Sequence, residues 1–213
     1  MEEITLTGQL GAPDANGPSI YCPSLFGLTV TQADLAIVMP RIDHNQRLRE
    51  APCQGRWAAI LACDPFGSER ALFRDLRELG YKGVINWPST ILLDGELRES
   101  MATIPASPEH EYSVLARAAA SGLETLAVFR SLDQARAAID AGLKRLVLHP
   151  GLIASDVAFN GNMVVAALER LIENLRAQTP GLALYAYTSD WHDGAFGLDA
   201  LPVDGVIRLQ VET

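Results

Sequence analysis

The sequence has few cysteines and no long apolar run. Its three cysteines, Cys22, Cys53 and Cys63, cannot all pair within one chain, and none stands in a C-x-x-C spacing. A zinc or redox site built on that spacing is therefore excluded, and reduced thiols fit best. The first residues lack the apolar core of a signal peptide, and no apolar run reaches the ~20 residues that span a bilayer. We therefore expect a cytoplasmic protein with no membrane partner.

Positive charge is also scarce. The chain of 213 residues has 17 Lys and Arg against 26 Asp and Glu, which gives a formal net charge of -9. This charge repels phosphate backbones, so we expect no nucleic-acid partner. Hydrophobic residues make up 48% of the chain, which is enough to form a buried core. We predict a single domain over residues 1–213, because α/β barrels of about 200 to 250 residues routinely form one domain.

A pattern of amphipathic helix, glycine and apolar strand recurs four times along the chain. The glycines are Gly80, Gly122, Gly142 and Gly181. Glycine at the C-terminus of a helix supplies the left-handed residue that turns the chain back, so each unit reads as helix, tight turn and buried strand. The strands that follow are predicted at residues 83–86, 125–129, 145–149 and 182–187. Strands that alternate with helices pair in parallel.

Four further apolar segments bring the predicted strands to eight, and they lie at residues 20–22, 35–39, 57–63 and 205–209. Eight parallel strands favour a closed (β/α)8 TIM barrel over an open doubly wound sheet. The short polar segment 40–56 predicts a shortened second βα unit, and the turn-rich residues 1–18 are predicted to be an N-terminal extension. We expect no eighth helix after the last strand. Either the N-terminal segment or another subunit would then have to cover that wall, and we expect a homo-oligomer.

Polar residues follow several of the predicted strands, where barrels of this kind carry their functional groups. Asp64 is a candidate general base, although from its position alone a helix cap or an Asp-Pro turn is the favoured role. His149 is placed either to transfer protons near neutral pH or to bond a loop carbonyl. The Asn86 amide either donates to a substrate oxygen or ties down the turn before Pro88.

Other strand-end residues suggest contacts with a ligand. Arg41 follows the second predicted strand, and Thr188 and Ser189 follow the seventh, where barrels often bind phosphate through backbone N–H groups. A glycine-rich phosphate motif is missing from the sequence. Asp190 and His192, with Asp193 beside them, are residue types that bind metals, but a solvated loop is the favoured interpretation.

Short motifs in a fixed order resemble those of the phosphoenolpyruvate hydrolase-like family of TIM-barrel proteins, which is distantly similar in fold to phosphoenolpyruvate mutases. The resemblance implies an enzyme that acts on a small phosphorylated or carboxylated acid, with Asp64 and His149 as base and acid. Asn86 would be catalytic too, and a divalent cation such as Mg²⁺ is a candidate cofactor. The matching motifs are Ala33-Asp34-Leu35, Asp64-Pro65-Phe66, residues 83–88, Asp94-Gly95 with Arg98, Glu111, and His149 with Gly151. The implied substrate-binding residues are Arg98, Glu111, Arg41, Thr188 and Ser189.

Several loops depart from the family pattern. Cys22-Pro23-Ser24 stands where the family has a glycine-rich loop, and residues 152–156 replace a second glycine-rich stretch. Tyr187-Thr188-Ser189 stands where the family tends to have a histidine and two glycines. A second hypothesis therefore stays open. The chain would be a non-catalytic barrel that binds a small molecule or a protein partner in a signalling or regulatory role.

Overall fold

Eight parallel strands close into one barrel in chain order, each pairing with the next and the last with the first. The computed structural model describes residues 1–10, 17–29, 32–33, 36–38, 42–51, 56–151 and 161–211. The predicted (β/α)8 TIM barrel is confirmed. The strands are β1 (Glu2–Thr7), β2 (Ser19–Tyr21), β3 (Trp57–Ile60), β4 (Gly83–Asn86), β5 (Glu124–Phe129), β6 (Arg145–Leu148), β7 (Ala183–Thr188) and β8 (Gly205–Gln210).

The helices pack around the barrel and mostly end as the glycine pattern predicts. Gly80, Gly122, Gly142 and Gly181 all have a positive φ, between 84° and 95°. Within the described residues, no helix is both long and apolar enough to cross a membrane. The α-helices are α1 (His44–Arg49), α2 (Glu69–Glu78), α3 (Gly95–Ala102), α4 (Pro108–Ala120), α5 (Leu132–Asp140), α6 (Gly161–Gln178) and α7 (Asp190–Phe196), and short 3₁₀ turns span Pro23–Leu25, Thr90–Leu92 and Leu198–Ala200.

The first strand of the barrel, β1, corrects the prediction that residues 1–18 form an N-terminal extension. β1 pairs with β8 over six positions and with β2 over three. Ile4 and Leu6 point into the barrel and are buried, whereas Glu3 on the opposite face is exposed. This alternation differs from the continuous apolar run of a strand such as β3, since only the inner face of β1 is apolar.

The predicted second strand at residues 35–39 is wrong. Of its described residues, Ala36 is helical and Ile37 and Val38 lie in a turn. Ala36 and Ile37 are nevertheless buried, because they pack against the side chains inside the barrel. This packing explains why the segment is apolar without being a strand. One strand was missed and one was added, so the count of eight was correct for the wrong reason. The connection between β1 and β2 is also short and spans residues 8–18. The second βα unit is shortened as predicted, since the described helix between residues 40 and 56 is the six-residue α1.

The core has two layers because strand side chains alternate between the inside of the barrel and the helices. The inner layer includes Ile4, Leu6, Ile20, Trp57, Ile85, Leu126, Val128, Val147, Tyr185, Tyr187 and Ile207. The outer layer packs strand residues such as Val84, Phe129, Leu146 and Leu184 against helix residues such as Leu76, Leu115, Ala135 and Leu175. This alternation decides which strand-end residues face the mouth of the barrel.

The seam between β1 and β8 has a polar outer face. Arg208 of β8 bonds Glu3 of β1 at 3.2 Å and two carboxylates of α7, Asp190 at 3.3 Å and Asp193 at 2.6 Å. The predicted homo-oligomer rested on an uncovered wall that needed a partner at the last strand. A face of ion pairs does not need an apolar cover, so that reason does not hold, and the oligomeric state stays a prediction.

Replacing Gly83 by alanine should destabilise the barrel by roughly 1 to 3 kcal/mol, because its Cβ would overpack the interior. That Cβ would stand 2.5 Å from the Glu124 carbonyl oxygen and 2.6 Å from the Trp57 ring. Gly194→Ala is the matched control, since nothing lies within 4 Å of its Cβ position in α7. The control should stabilise the protein by up to about 1 kcal/mol. Urea unfolding measures both variants, and equal midpoints would contradict the packing argument.

Candidate functional site

Three aromatic rings meet inside the mouth of the barrel, at the C-terminal ends of β4, β6 and β7. Trp87 follows β4, His149 follows β6, and Tyr187 lies near the end of β7. The His149 and Tyr187 rings stack with centroids 4.6 Å apart and planes 11° apart, and the Trp87 ring lies 5.5 Å from His149 and 4.9 Å from Tyr187. His192 of α7 joins them, 5.7 Å from Tyr187. We call these four residues the mouth cluster.

His149 is a neutral hydrogen-bond donor in this cluster. The Gly151 backbone N–H donates to His149 Nδ1 at 3.0 Å, so the neutral ring carries its proton on Nε2. Burial lowers the pKa of His149 to about 3, with smaller contributions from the His192 and Arg130 charges. The ring is wholly buried, and Nε2 has no hydrogen-bond partner among the described residues.

His192 and Trp87 carry two more donors of the same kind. Ser189 caps α7 by accepting the His192 backbone N–H at 3.3 Å, and its hydroxyl lies 2.7 Å from His192 Nδ1. Burial lowers the pKa of His192 to about 4, so the ring is neutral. We assign the hydroxyl proton to this bond because the buried Ser189 hydroxyl has no other acceptor among the described residues. His192 Nε2 and Trp87 Nε1 are then buried N–H groups without a partner in the described part of the chain. The cluster therefore presents three donors and needs acceptors.

Asn86 and Glu111 meet beside the cluster, but their polar atoms are occupied. The Glu111 carboxylate accepts the Asn86 amide at 2.7 Å, the Ser89 hydroxyl at 2.5 Å, and the Thr90 N–H and hydroxyl at 2.7 Å each. Asn86 Oδ1 accepts the Val128 N–H at 2.7 Å. Glu111 is fully buried, and burial raises its pKa although these bonds oppose the rise. These bonds occupy the polar atoms of both residues within the fold, and the catalytic role of Asn86 and the ligand contact of Glu111 stay predictions.

Asp64 lies in a separate groove after β3. Its carboxylate accepts the Asn45 amide at 3.0 Å and the Phe66 backbone N–H at 2.9 Å. The groove has a volume of about 480 Å³ and is lined by α1 and by the loop from residue 61 to residue 69. No contact among the described residues joins Asp64 to His149, so the structure does not bring the predicted base and acid together directly.

The other predicted site residues are spread over the same end of the barrel. Ser189 supports His192, and Thr188 is buried and donates its hydroxyl to Asp193. Arg98 lies on α3, half exposed, 3.5 Å from the Glu109 carboxylate. Arg41 lies outside the described residues.

The residues that the structure describes do not fit a resident metal ion. Asp190 and Asp193 bond Arg208, and His192 Nδ1 bonds Ser189, so the acidic segment after β7, which forms helix α7 and not the predicted loop, has no free set of ligands. Across the described ranges, no three His, Cys, Asp or Glu side chains are grouped to hold a cation. A divalent cofactor such as Mg²⁺ thus finds no support in this part of the chain.

Sequence reasoning singled out His149 but not the rings around it. Trp87 was named only within the family motif at residues 83–88, and for His192 a solvated loop was favoured over a metal ligand. A usable signal was present: Trp87, His149 and Tyr187 all stand at the C-terminal ends of strands, and each carries an aromatic ring with a polar atom. The three rings come together only because the residues at the ends of β4, β6 and β7 all face the inside of the barrel. The spacing of residues along the sequence does not show which way they face.

The chain is similar in sequence to proteins of one family. Residues 47–180 match the family model described as phosphoenolpyruvate hydrolase-like. The uncharacterised protein y4oT of Sinorhizobium fredii (strain NBRC 101917 / NGR234) is 31% identical over 135 residues, which are 61% of this chain and 69% of that protein. The ToMV resistance protein Tm-1(GCR237) of Solanum lycopersicum is 32% identical over 98 residues, 46% of this chain and 13% of that protein.

Solved structures share the fold at low sequence identity. A candidate phosphonomutase from Burkholderia cenocepacia J2315 has a TM-score of 0.53 and 15% identity, over 97% of this chain and 86% of that one. A candidate lyase or mutase from the same organism has a TM-score of 0.52 and 14% identity, over 99% and 76%. At this identity the likeness concerns the barrel alone.

Replacing Glu111 by glutamine should destabilise the protein by about 2 to 4 kcal/mol, because an amide NH₂ would face donors that now bond a carboxylate oxygen. Glu109→Gln is the matched control. Glu109 is exposed and its carboxylate pairs with Arg98 at 3.5 Å, so loss of this charge should cost less than about 0.5 kcal/mol. Thermal and urea unfolding measure both. Equal stability of the two variants would show that the four bonds to Glu111 are not made as described.

Acid should destabilise the fold through its buried histidines. His44, His149 and His192 have pKa values lowered to about 4, 3 and 4 from 6.5, mainly by burial. Because the unfolded chain binds these protons first, stability is full above pH 6.5 and is lost as pH falls toward 4 and 3. At pH 5 the loss is roughly 2 kcal/mol per histidine.

The pH effect can be isolated at His44, which bonds Ser24 Oγ at 2.7 Å and the Ala59 carbonyl at 2.6 Å. His44→Gln should reduce the stability lost between pH 7 and pH 5, measured by urea unfolding at both values. His110→Gln changes a histidine that is only half-buried and should keep the wild-type loss. An unchanged loss in His44→Gln would refute the assignment.

Proposed function

The chain belongs to the phosphoenolpyruvate hydrolase-like family, and on that premise we propose that it is an enzyme acting on a small phosphorylated or carboxylated acid in the mouth of its barrel. One observation carries the proposal: three buried N–H donors of the mouth cluster have no acceptor among the described residues. The C-terminal end of the strands, where these donors lie, is also where enzymes with this fold bind their substrates.

The donors define what a ligand must offer. A buried N–H group without a partner costs about 1 to 3 kcal/mol, and native proteins have only a few such groups. Here Trp87 Nε1, His149 Nε2 and His192 Nε2 belong to one ring cluster. All three donate and none accepts. Oxygen atoms of a carboxylate, carbonyl or phosphate would satisfy them, which supports a small acid as the ligand.

The same donors suit a reaction in which negative charge develops on a substrate oxygen. Fixed N–H groups in a dry site stabilise such a charge without having to reorient. His149 would act as a neutral donor, since burial keeps its pKa at about 3 and leaves no imidazolium at neutral pH. The acid role expected from the sequence is thereby replaced by hydrogen bonding to the substrate.

The remaining predicted residues take different parts in this proposal. Asn86 acts as a positioning residue, because its amide links Glu111 to the Val128 N–H and fixes the backbone next to Trp87. Asp64 stays a candidate base at the third strand, in the groove beside Asn45. A substrate would have to reach from the mouth cluster toward that groove for Asp64 to remove its proton.

The position of Asp64 also supports the second hypothesis, a barrel that binds a small molecule or a protein partner without chemistry. Of the predicted base and acid, only His149 lies in the mouth cluster. A neutral donor set is sufficient to bind an acid. Turnover of a bound acid separates the two functions.

Trp87→Phe should weaken binding of small acids, because it removes one N–H donor and keeps an aromatic ring. We expect an acid at 100 times its dissociation constant to stabilise the wild type by about 2.7 kcal/mol, and the shift to shrink in the variant. Trp57→Phe is the matched control. Trp57 is equally buried but begins β3, at the opposite end of the barrel. Thermal shift measures binding, and NMR of the mixture measures consumption of the acid.

Several outcomes bear on the proposal. Stabilisation with consumption supports an enzyme, and stabilisation without consumption supports the binding function. Equal loss of binding in Trp57→Phe and Trp87→Phe would remove the mouth cluster from the argument. A wild type that no small carboxylated or phosphorylated acid stabilises would refute both functions at this site.

A further inference from the structure

Arg130 stands at the rim of the mouth, directly after β5. Its backbone N–H donates to the Gln134 side chain at 2.8 Å, and Gln134 in turn donates to the Ile91 carbonyl at 3.0 Å. These bonds fix the backbone from which the arginine side chain extends. The side chain lies against Gly151, with Nε 3.5 Å and Cζ 4.0 Å from the point where a Cβ of residue 151 would stand.

Gly151 connects this arginine to the mouth cluster. Its φ of 98° is a conformation that other residues rarely adopt, and in it the N–H of Gly151 bonds His149 Nδ1 at 3.0 Å. Gly151 therefore has two effects. Its N–H occupies Nδ1 of His149, so that Nε2 is the donor, and its missing side chain leaves room for the guanidinium of Arg130. The Arg130 charge is close enough to contribute to the lowered pKa of His149, after burial and the His192 charge.

The guanidinium of Arg130 is exposed and has no carboxylate partner among residues 56–151 and 161–211. Several other arginines of the chain are engaged in ion pairs. Arg117 makes two bonds to Glu69, at 2.7 and 2.9 Å, and Arg145 bonds Glu124. A cation at the rim is thus available to a ligand, next to three buried donors that lack acceptors.

We propose that Arg130 binds the carboxylate of the ligand at the rim, while a further oxygen of the same ligand meets the buried N–H donors. The site then takes a small carboxylic acid with a second acceptor oxygen. This inference rests on the proposed function and narrows its substrate class from phosphorylated or carboxylated acids to carboxylated ones.

Charge and shape favour a carboxylate over a phosphate. The planar guanidinium matches the two oxygens of a carboxylate with two parallel N–H bonds. A phosphate monoester carries a charge of about -1.5 to -2 at pH 7. Arg130 supplies one positive charge, and the donors of the mouth cluster supply none, because their histidines are neutral. A carboxylate balances this site without a second cation.

The test removes the charge from the protein and from the ligand in turn. Pyruvate carries a carboxylate and a carbonyl oxygen, and methyl pyruvate carries the carbonyl without the charge. Binding of both, and of inorganic phosphate, is measured by ligand-observed NMR titration of the wild type, Arg130→Gln and the control Arg136→Gln. Arg136 is half exposed on α5 and meets Asp133 at 3.9 Å.

Arg130→Gln should weaken pyruvate binding by about tenfold or more and leave methyl pyruvate within about twofold, whereas Arg136→Gln should change neither. Wild-type binding of pyruvate that Arg130→Gln leaves intact, or equal losses for both ligands, would overturn the carboxylate site and leave the proposed function standing. Phosphate that binds more tightly than pyruvate and depends on Arg130 would overturn the substrate class. A wild type that binds no acid refutes the proposed function as well.

Discussion

Pairing between β1 and β8 is the constraint on which the rest of the structure depends. Six register positions join the two strands and close the barrel. Closure fixes which face of every strand points inward, because successive side chains alternate. Val147 and Tyr185 face the interior, and the same register carries on to His149 and Tyr187 at the mouth. The candidate site is therefore the end of the inner layer of the core, with polar atoms in place of methyl groups.

Buried polar groups at this end of the barrel fall into two kinds. Glu111 has a donor for each of its bonding positions, and it ties the segment after β4 to α4. The donors of the mouth cluster have no acceptor in the described chain. A network whose donors all have acceptors stabilises the fold. Buried donors without acceptors lower the stability of the free protein, and a ligand that supplies the acceptors restores that stability. This contrast separates structural from functional candidates better than residue type does.

The sequence allowed much of the fold to be predicted and less of the site. Helices that end at glycine, such as those before Gly122 and Gly142, are local features and were read correctly. β1 was missed because only one of its faces is apolar, and residues 35–39 misled because loop residues such as Ile37 can also pack inside a barrel. The family resemblance implied that Glu111 contacts a ligand, and the sequence did not reveal its hydrogen-bond partners Asn86, Ser89 and Thr90, which are 25, 22 and 21 residues away. Hydrogen-bond partners of this kind are brought together by tertiary packing. The periodicity of apolar residues predicts helices and strands but not such contacts.

Arg208 connects the closure of the barrel to the region of the mouth cluster. It bonds Glu3 on β1 and two carboxylates of α7, the helix that also carries His192. Thr188 at the end of β7 bonds Asp193 of the same helix. Local opening of the seam would therefore release α7, and with it one of the buried donors. We expect the amide hydrogens of β1, β8 and α7 to exchange with solvent as one cooperative unit, and a ligand that binds His192 to slow exchange in the two strands as well as in the helix.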